Sequence, residues 1–170
     1  IAARALAGGV PPIANLPALD DPAMEPLRAL LEDPGVPKVA QNAKYHLLVL
    51  RRLGVELNGL VSDTMIASYV MDPGRRSHGL DLLALEFLDH TMASQEALCG
   101  KGRQQLPFDV VPIACARDYA CAISDVTWRL EPRFRPQIGA QQMSGLYPGI
   151  GIPACGVPAG RPMARHGTGP

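Results

Sequence analysis

Two short stretches of this 170-residue chain gather side chains capable of chemistry. The first, Gln41-Asn42-Ala43-Lys44-Tyr45-His46, sets amides, a cation, a phenol and an imidazole side by side. His46 could ligate a metal through a ring nitrogen. With Leu50 and Leu53 at i+4 and i+7, it fits better as a histidine at the edge of an apolar helical stripe. Lys44, Arg51, Arg52, Arg75 and Arg76 could meet phosphate oxygens, but they serve equally well as a solvated helix face and loop. The second stretch is Tyr119-Ala120-Cys121-Ala122-Ile123-Ser124-Asp125-Val126-Thr127, in which Tyr119 reads as a helix residue half buried against a core. Asp63 precedes an apolar helical period and reads as an N-cap, a fold role. Cys99, Cys115, Cys121 and Cys155 make neither a Cys-x-x-Cys pair nor a Cys/His zinc spacing, so they read as reduced thiols. Gly100-x-Gly102 lacks the strand-to-helix setting of a phosphate loop.

The elements that must position these residues alternate between short strands and helices. A helix is expected over Pro26–Glu32, stopped by Asp33-Pro34-Gly35, followed by an extended Val36–Ala40. Gln41-Asn42 then opens a helix with the stripe Ala43, Leu47, Leu50 and Leu53, closed by Gly54. Leu57–Val61 reads as a strand. Behind Asp63 comes a helix presenting Met65, Ile66, Tyr69 and Val70, ended by Asp72-Pro73-Gly74. Leu80, Leu83, Ala84, Phe87 and Leu88 follow helical spacing, and Gly100–Phe108 reads as loop. A last helix runs from about Pro112 to Leu130, with Pro132 as its stop. Helices and short strands around one core give an α/β fold.

Three zones follow: an irregular lead-in over 1–20, a patterned domain over 21–131, and a tail over 132–170. The tail carries 7 of the 17 prolines and 8 of the 17 glycines, a composition that cannot order itself by burial, so disorder is expected there. The abrupt change after Leu130 is what a shifted reading frame would produce. Lys and Arg total 16, as do Asp and Glu, so no bulk field draws the chain to nucleic acid or membrane. No apolar run reaches the length of about 18 residues that a membrane helix needs, and a cytoplasmic protein without a membrane partner is expected. The chain opens with Ile1 rather than Met, as a fragment would.

Val39-Ala40-Gln41-Asn42-Ala43-Lys44-Tyr45-His46 resembles the second motif of the 3′→5′ exonuclease domains of family A (bacterial DNA polymerase I-type) polymerases, Asn-x-Lys-Tyr-Asp. The stretch Tyr119–Thr127 resembles their third, Tyr-x-x-x-Asp. Between them Ser62-Asp63-Thr64-Met65, His78-Gly79-Leu80-Asp81 and Gln105-Leu106-Pro107-Phe108 resemble the family's sequence in the same order. The two lie together without a gap from Asn42 to Thr127, and the resemblance covers roughly 22–131.

The resemblance implies a ribonuclease-H-like 3′→5′ exonuclease fold, here missing its first strands. It also implies, for the family, hydrolysis of the terminal phosphodiester of single-stranded DNA in replication and repair. The family's two divalent cations, Mg²⁺ or Mn²⁺, are held by four carboxylates. Two belong to an upstream Asp-x-Glu motif that this chain begins too late to contain. The third falls at His46 and the fourth at Ile123. A neutral imidazole suits zinc better than magnesium, and isoleucine offers no ligand. Asp125, two residues further on, points about 200° round the helix. Tyr119 falls where the family positions the attacking water, a vestigial role here. Gln41, Asn42, Lys44, Tyr45 and Arg76 fall near the DNA strand, with Ser77 in place of the family's arginine. The expectation is a degenerate, inactive domain with no metal site and no cofactor, binding single-stranded DNA weakly or not at all. One alternative is a retained inactive domain with a structural or weak DNA-binding role, and another is a nuclease with rearranged ligands.

Overall fold

Two short parallel strands set the frame of the computed structural model, which describes residues 16–140 and Tyr147. β1 (Lys38–Ala40) pairs with β2 (Leu60–Asp63), with Val39 opposite Ser62 and Ala40 opposite Asp63. Parallel pairing obliges the chain to cross back between the strands, and a helix makes that crossing. After a short helix α1 (Glu25–Glu32), the crossover is α2 (Ala43–Arg52). Its end is a two-bond C-terminal lock: Gly54 N–H donates to Arg51 O at 3.1 Å and Val55 N–H to Leu50 O at 3.0 Å. Gly54 takes φ 73° to make it, and Val55 is buried behind it. Gly59 is needed for a different reason. At φ 72° its carbonyl accepts from Lys38 N–H, and a Cβ there would lie 2.4 Å from the Val36 carbonyl oxygen.

From β2 the chain enters α3 (Thr64–Met71), α4 (Leu80–Leu88), a short α5 (Gln95–Cys99) just before the expected Gly100–Phe108 loop, and a long α6 (Ile113–Ala140). Helices α3, α4 and α6 share one core of Ala67, Leu83, Ala84, Val126, Leu130, Phe134 and Ile138. The buried face of α3 is Thr64, Ala67 and Ser68, while Tyr69 lies exposed, contrary to the expected stripe. Small residues on that face let α6 approach closely.

The expected stop at Pro132 is corrected. Helix α6 runs on through Pro132 and Pro136 to Ala140, so residues 132–140 are helical rather than a disordered tail. A proline in a helix interior costs about 3 kcal/mol through its missing N–H and its clash. Here both prolines lie on the exposed side, where water can serve the carbonyls they leave unbonded. The opposite side buries Val126, Leu130, Phe134 and Ile138, each four residues apart, and Phe134 meets Phe87 edge-on at 4.9 Å. The apolar period thus continues across Leu130, and nothing in 132–140 supports a change of frame. The rest of the expected tail, Tyr147 excepted, lies outside the described residues, as does 1–15 of the lead-in.

Phe134→Ala removes a fully buried aromatic side chain and is expected to cost about 3–5 kcal/mol of unfolding free energy in urea titrations. A change within error of zero would restore the reading in which the folded part ends at Pro132.

Candidate functional site

Both parallel strands end at the same side of the sheet, where each feeds a helix. Asp63, the last residue of β2, joins the two ends. Its carboxylate accepts from Met65 N–H at 2.8 Å and Ile66 N–H at 3.2 Å, capping α3 as the sequence predicts. It also accepts from Ala43 N–H at 2.7 Å and Asn42 N–H at 3.2 Å, so it caps α2 as well. Asp63 is fully buried, and four backbone donors at two helix N-termini compensate that burial. Asn42 makes the geometry possible. It sits in the left-handed region at φ 59°, ψ 52°, which asparagine tolerates better than most side chains, and its own side chain makes no cap.

A second polar link holds Gln41. Its Nε2 donates to His78 O at 3.0 Å, and its Oε1 accepts from Thr64 Oγ1 at 2.5 Å. His78 in turn lies 2.9 Å, through Nδ1, from Ser68 Oγ. Both ends of the Gln41 amide are therefore committed within the fold.

Above these links opens a groove of about 1130 Å³. One wall is the end of β1 and the start of α2, giving Gln41, Asn42, Tyr45 and His46. The facing wall is α6, giving Tyr119, Ile123, Ser124, Thr127 and Trp128. Leu80, Asp81 and the 92–95 segment complete it. The structure thus brings together six of the residues singled out in the sequence. It does not bring Lys44 or Arg76 there: Lys44 is exposed outside the groove, and Arg76 lines a separate cleft with Ser77 and Glu86. Arg75 is engaged by Asp72 and Glu86 and stacks over Phe87 at 5.3 Å. The expectation that His46 lies at a core edge is corrected. His46 is exposed in the groove, edge-on to Tyr45 at 5.8 Å: of the expected stripe Ala43 is buried and Leu47 and Leu50 half buried, but Leu53 is exposed, so the apolar edge does not reach His46. Tyr119 is half buried 6.4 Å from Phe108, and burial foremost pushes its phenol above the usual tyrosine range, keeping it protonated at neutral pH.

Trp128 escaped the sequence reading, although a signal was present. Tyr119, Ile123 and Thr127 follow at i, i+4 and i+8, and Ser124 and Trp128 form the adjacent row, so one face of α6 carries all five. Asp81 and Lys38 reach the groove from other elements, which spacing along the chain could not reveal.

The donor set does not fit a pair of hard cations. Asp81 is the carboxylate on the groove lining, facing an imidazole, an aliphatic side chain and phenols. Among the described residues no three His, Cys, Asp or Glu side chains come together as a metal group. Two divalent ions need several oxygen ligands to offset their charge. What the groove offers is stacking surface: Tyr45 is 61% and Trp128 67% exposed.

Comparison with known proteins matches residues 11–139 to the 3′-5′ exonuclease family, wider on both sides than the 22–131 expected. The chain is similar to DNA polymerase I of Rhizobium leguminosarum, 42% identical over 125 residues, which is 74% of this chain and 12% of that protein. It is also similar to DNA polymerase I of Pseudomonas aeruginosa, 43% identical over 112 residues, covering 65% of this chain and 12% of that one. The chain therefore spans about an eighth of the length of these relatives. Among solved structures, it resembles the POL domain of Pol1 from M. smegmatis in complex with DNA primer-template and dNTP. The TM-score is 0.63 at 24% identity, over 79% of this chain and 20% of that one, a likeness of fold. No helix among the described residues is long and apolar enough to cross a membrane.

Asp63→Ala uncaps two helices and leaves buried amides without partners, and is expected to cost about 3 kcal/mol or more in chemical denaturation. Asp63→Asn, which keeps one acceptor oxygen, should fall between. A loss under about 1 kcal/mol for the alanine variant would mean that the double cap is not holding the strand ends.

Proposed function

The chain belongs to the 3′-5′ exonuclease domain family of DNA polymerase I, and we propose that it is a copy of that domain which keeps the groove and has lost the metal chemistry. One observation supports this reading: His46 and Ile123, which the motif resemblance sets where the family's second- and third-motif carboxylates fall, both line the groove. On that correspondence, two positions that would need anionic oxygen carry an imidazole and an aliphatic side chain. An imidazole and an isoleucine cannot replace two anionic oxygen ligands for Mg²⁺. Tyr119 stands on the same wall, and without cations it has no activated water to orient. The ribonuclease-H-like class is part of the proposal, supported by the parallel strand pair, its helical crossover and the likeness to a polymerase structure. So are a cytoplasmic setting and a family role in replication and repair.

Purified chain incubated with a 3′-labelled single-stranded oligonucleotide and Mg²⁺ or Mn²⁺ is expected to leave the label at full length. Chelator-sensitive shortening from the 3′ end, lost in His46→Ala, would overturn the reading in favour of rearranged ligands.

The exposed pair Tyr45 and Trp128 favours a second reading, a residual single-stranded DNA groove. Stacking contributes about 1–3 kcal/mol per base. With Lys38 the cation on the groove lining and no net charge to draw in phosphate, affinity is expected at about 10⁻⁴ M or weaker and falling with salt. Fluorescence anisotropy with a short oligonucleotide decides it. Micromolar affinity at physiological salt, lost in the Tyr45→Ala, Trp128→Ala double variant, would make DNA binding this domain's retained activity.

A further inference from the structure

Tyr147 lies beyond the end of α6, yet it is buried in the same core as Leu130, Phe134 and Ile138. Its hydroxyl is held at three points on the last two residues of β2. The phenolic oxygen accepts from Asp63 N–H at 2.7 Å, its proton is directed to Asp63 O at 3.0 Å, and Ser62 Oγ lies 3.0 Å away. With the phenol donating to the Asp63 carbonyl, the Ser62 hydroxyl donates to the phenol, and all four groups are satisfied. Ser62 and Asp63 are both buried. Burial is the main cause that pushes the Tyr147 phenol above the usual tyrosine range, the direction expected of a phenol kept neutral as a donor. The ring borders a pocket of about 330 Å³ with Val61, Phe134 and Ile138.

We infer that Tyr147 clamps the end of β2, and thereby fixes the Asp63 double cap and the groove wall on α2. The connection runs through one residue. Tyr147 holds both backbone groups of Asp63, and the Asp63 side chain holds the first amides of α2 and α3. Hydrogen bonds weaken steeply once their angle falls toward about 120°, so a small rotation of the Asp63 backbone loosens the carboxylate's bonds to both helices. Phenylalanine would fill the socket but remove the oxygen to which Asp63 N–H donates and the proton directed to Asp63 O. Tyr147 is therefore a positioning residue for Tyr45 and His46, which α2 carries into the groove. This holds whether or not the groove takes DNA.

The test is amide hydrogen exchange by NMR on the full chain, wild type against Tyr147→Phe, under conditions that report local opening. Protection at Asn42, Ala43, Met65 and Ile66 is expected to fall about tenfold, while Leu83 and Val126 in the α4–α6 core stay within about twofold. Unchanged protection at those four amides, or an equal fall at all amides, would overturn the coupling. If Tyr147→Phe does not fold, Ser62→Ala decides the matter. It removes one partner of the phenol and should lower protection at the same four amides by a smaller factor. An effect absent there, or spread evenly over the core, overturns the inference.

Discussion

The Asp63 carboxylate is the interaction on which the rest of the architecture depends. Burying an ionised group without partners costs far more than a small domain can spare, so its survival in the interior requires full compensation. Two helix N-termini supply it, each with unbonded N–H groups and the positive end of a dipole. The need is mutual, because a buried helix start without an acceptor is itself unfavourable. One side chain thus fixes the separation of α2 and α3, and both strands are drawn into parallel register beneath them. The left-handed Asn42 follows from the same constraint. Only a sharp reversal after β1 can aim two consecutive N–H groups at a carboxylate on the neighbouring strand.

Half of this arrangement was legible in the sequence. An aspartate before an apolar period announces the cap of α3, since the bonds to Met65 and Ile66 are local. The bonds to Asn42 and Ala43 span about twenty residues and belong to tertiary structure, which no local pattern encodes. Helix α6 shows the same division with opposite sign. Local propensity places a stop at Pro132, and tertiary burial overrides it, because Leu130, Phe134 and Ile138 are worth more inside than two solvent-facing prolines cost. Composition misled in the same way over 132–140: glycine and proline counts register what a segment lacks, not which apolar residues it retains at helical spacing. Of the site, the residues in the two motif stretches were legible because their spacing is local to α2 and α6. Trp128 completes the groove from a position that none of the matching stretches names, and Asp81 from one that was named without a role.

The fold's devices and the groove's chemistry occupy separate positions. Asp63, Asn42, Gly59 and the Gln41–Thr64–His78 link are buried or conformationally special, and each would be costly to change. His46 is exposed and Ile123 half exposed on the groove surface, and neither stands among the buried core residues. Substitution at these two positions therefore leaves the scaffold untouched. Carboxylates clustered for metal binding repel one another whenever the cations are away, so on the proposed reading an imidazole and an aliphatic side chain there relieve a standing electrostatic cost. On the proposed reading, the catalytic positions are where this domain could change most cheaply. The caps, the αL turn and the glycine at the strand crossing are where it could not, and the preserved groove is the imprint that those fixed residues leave behind.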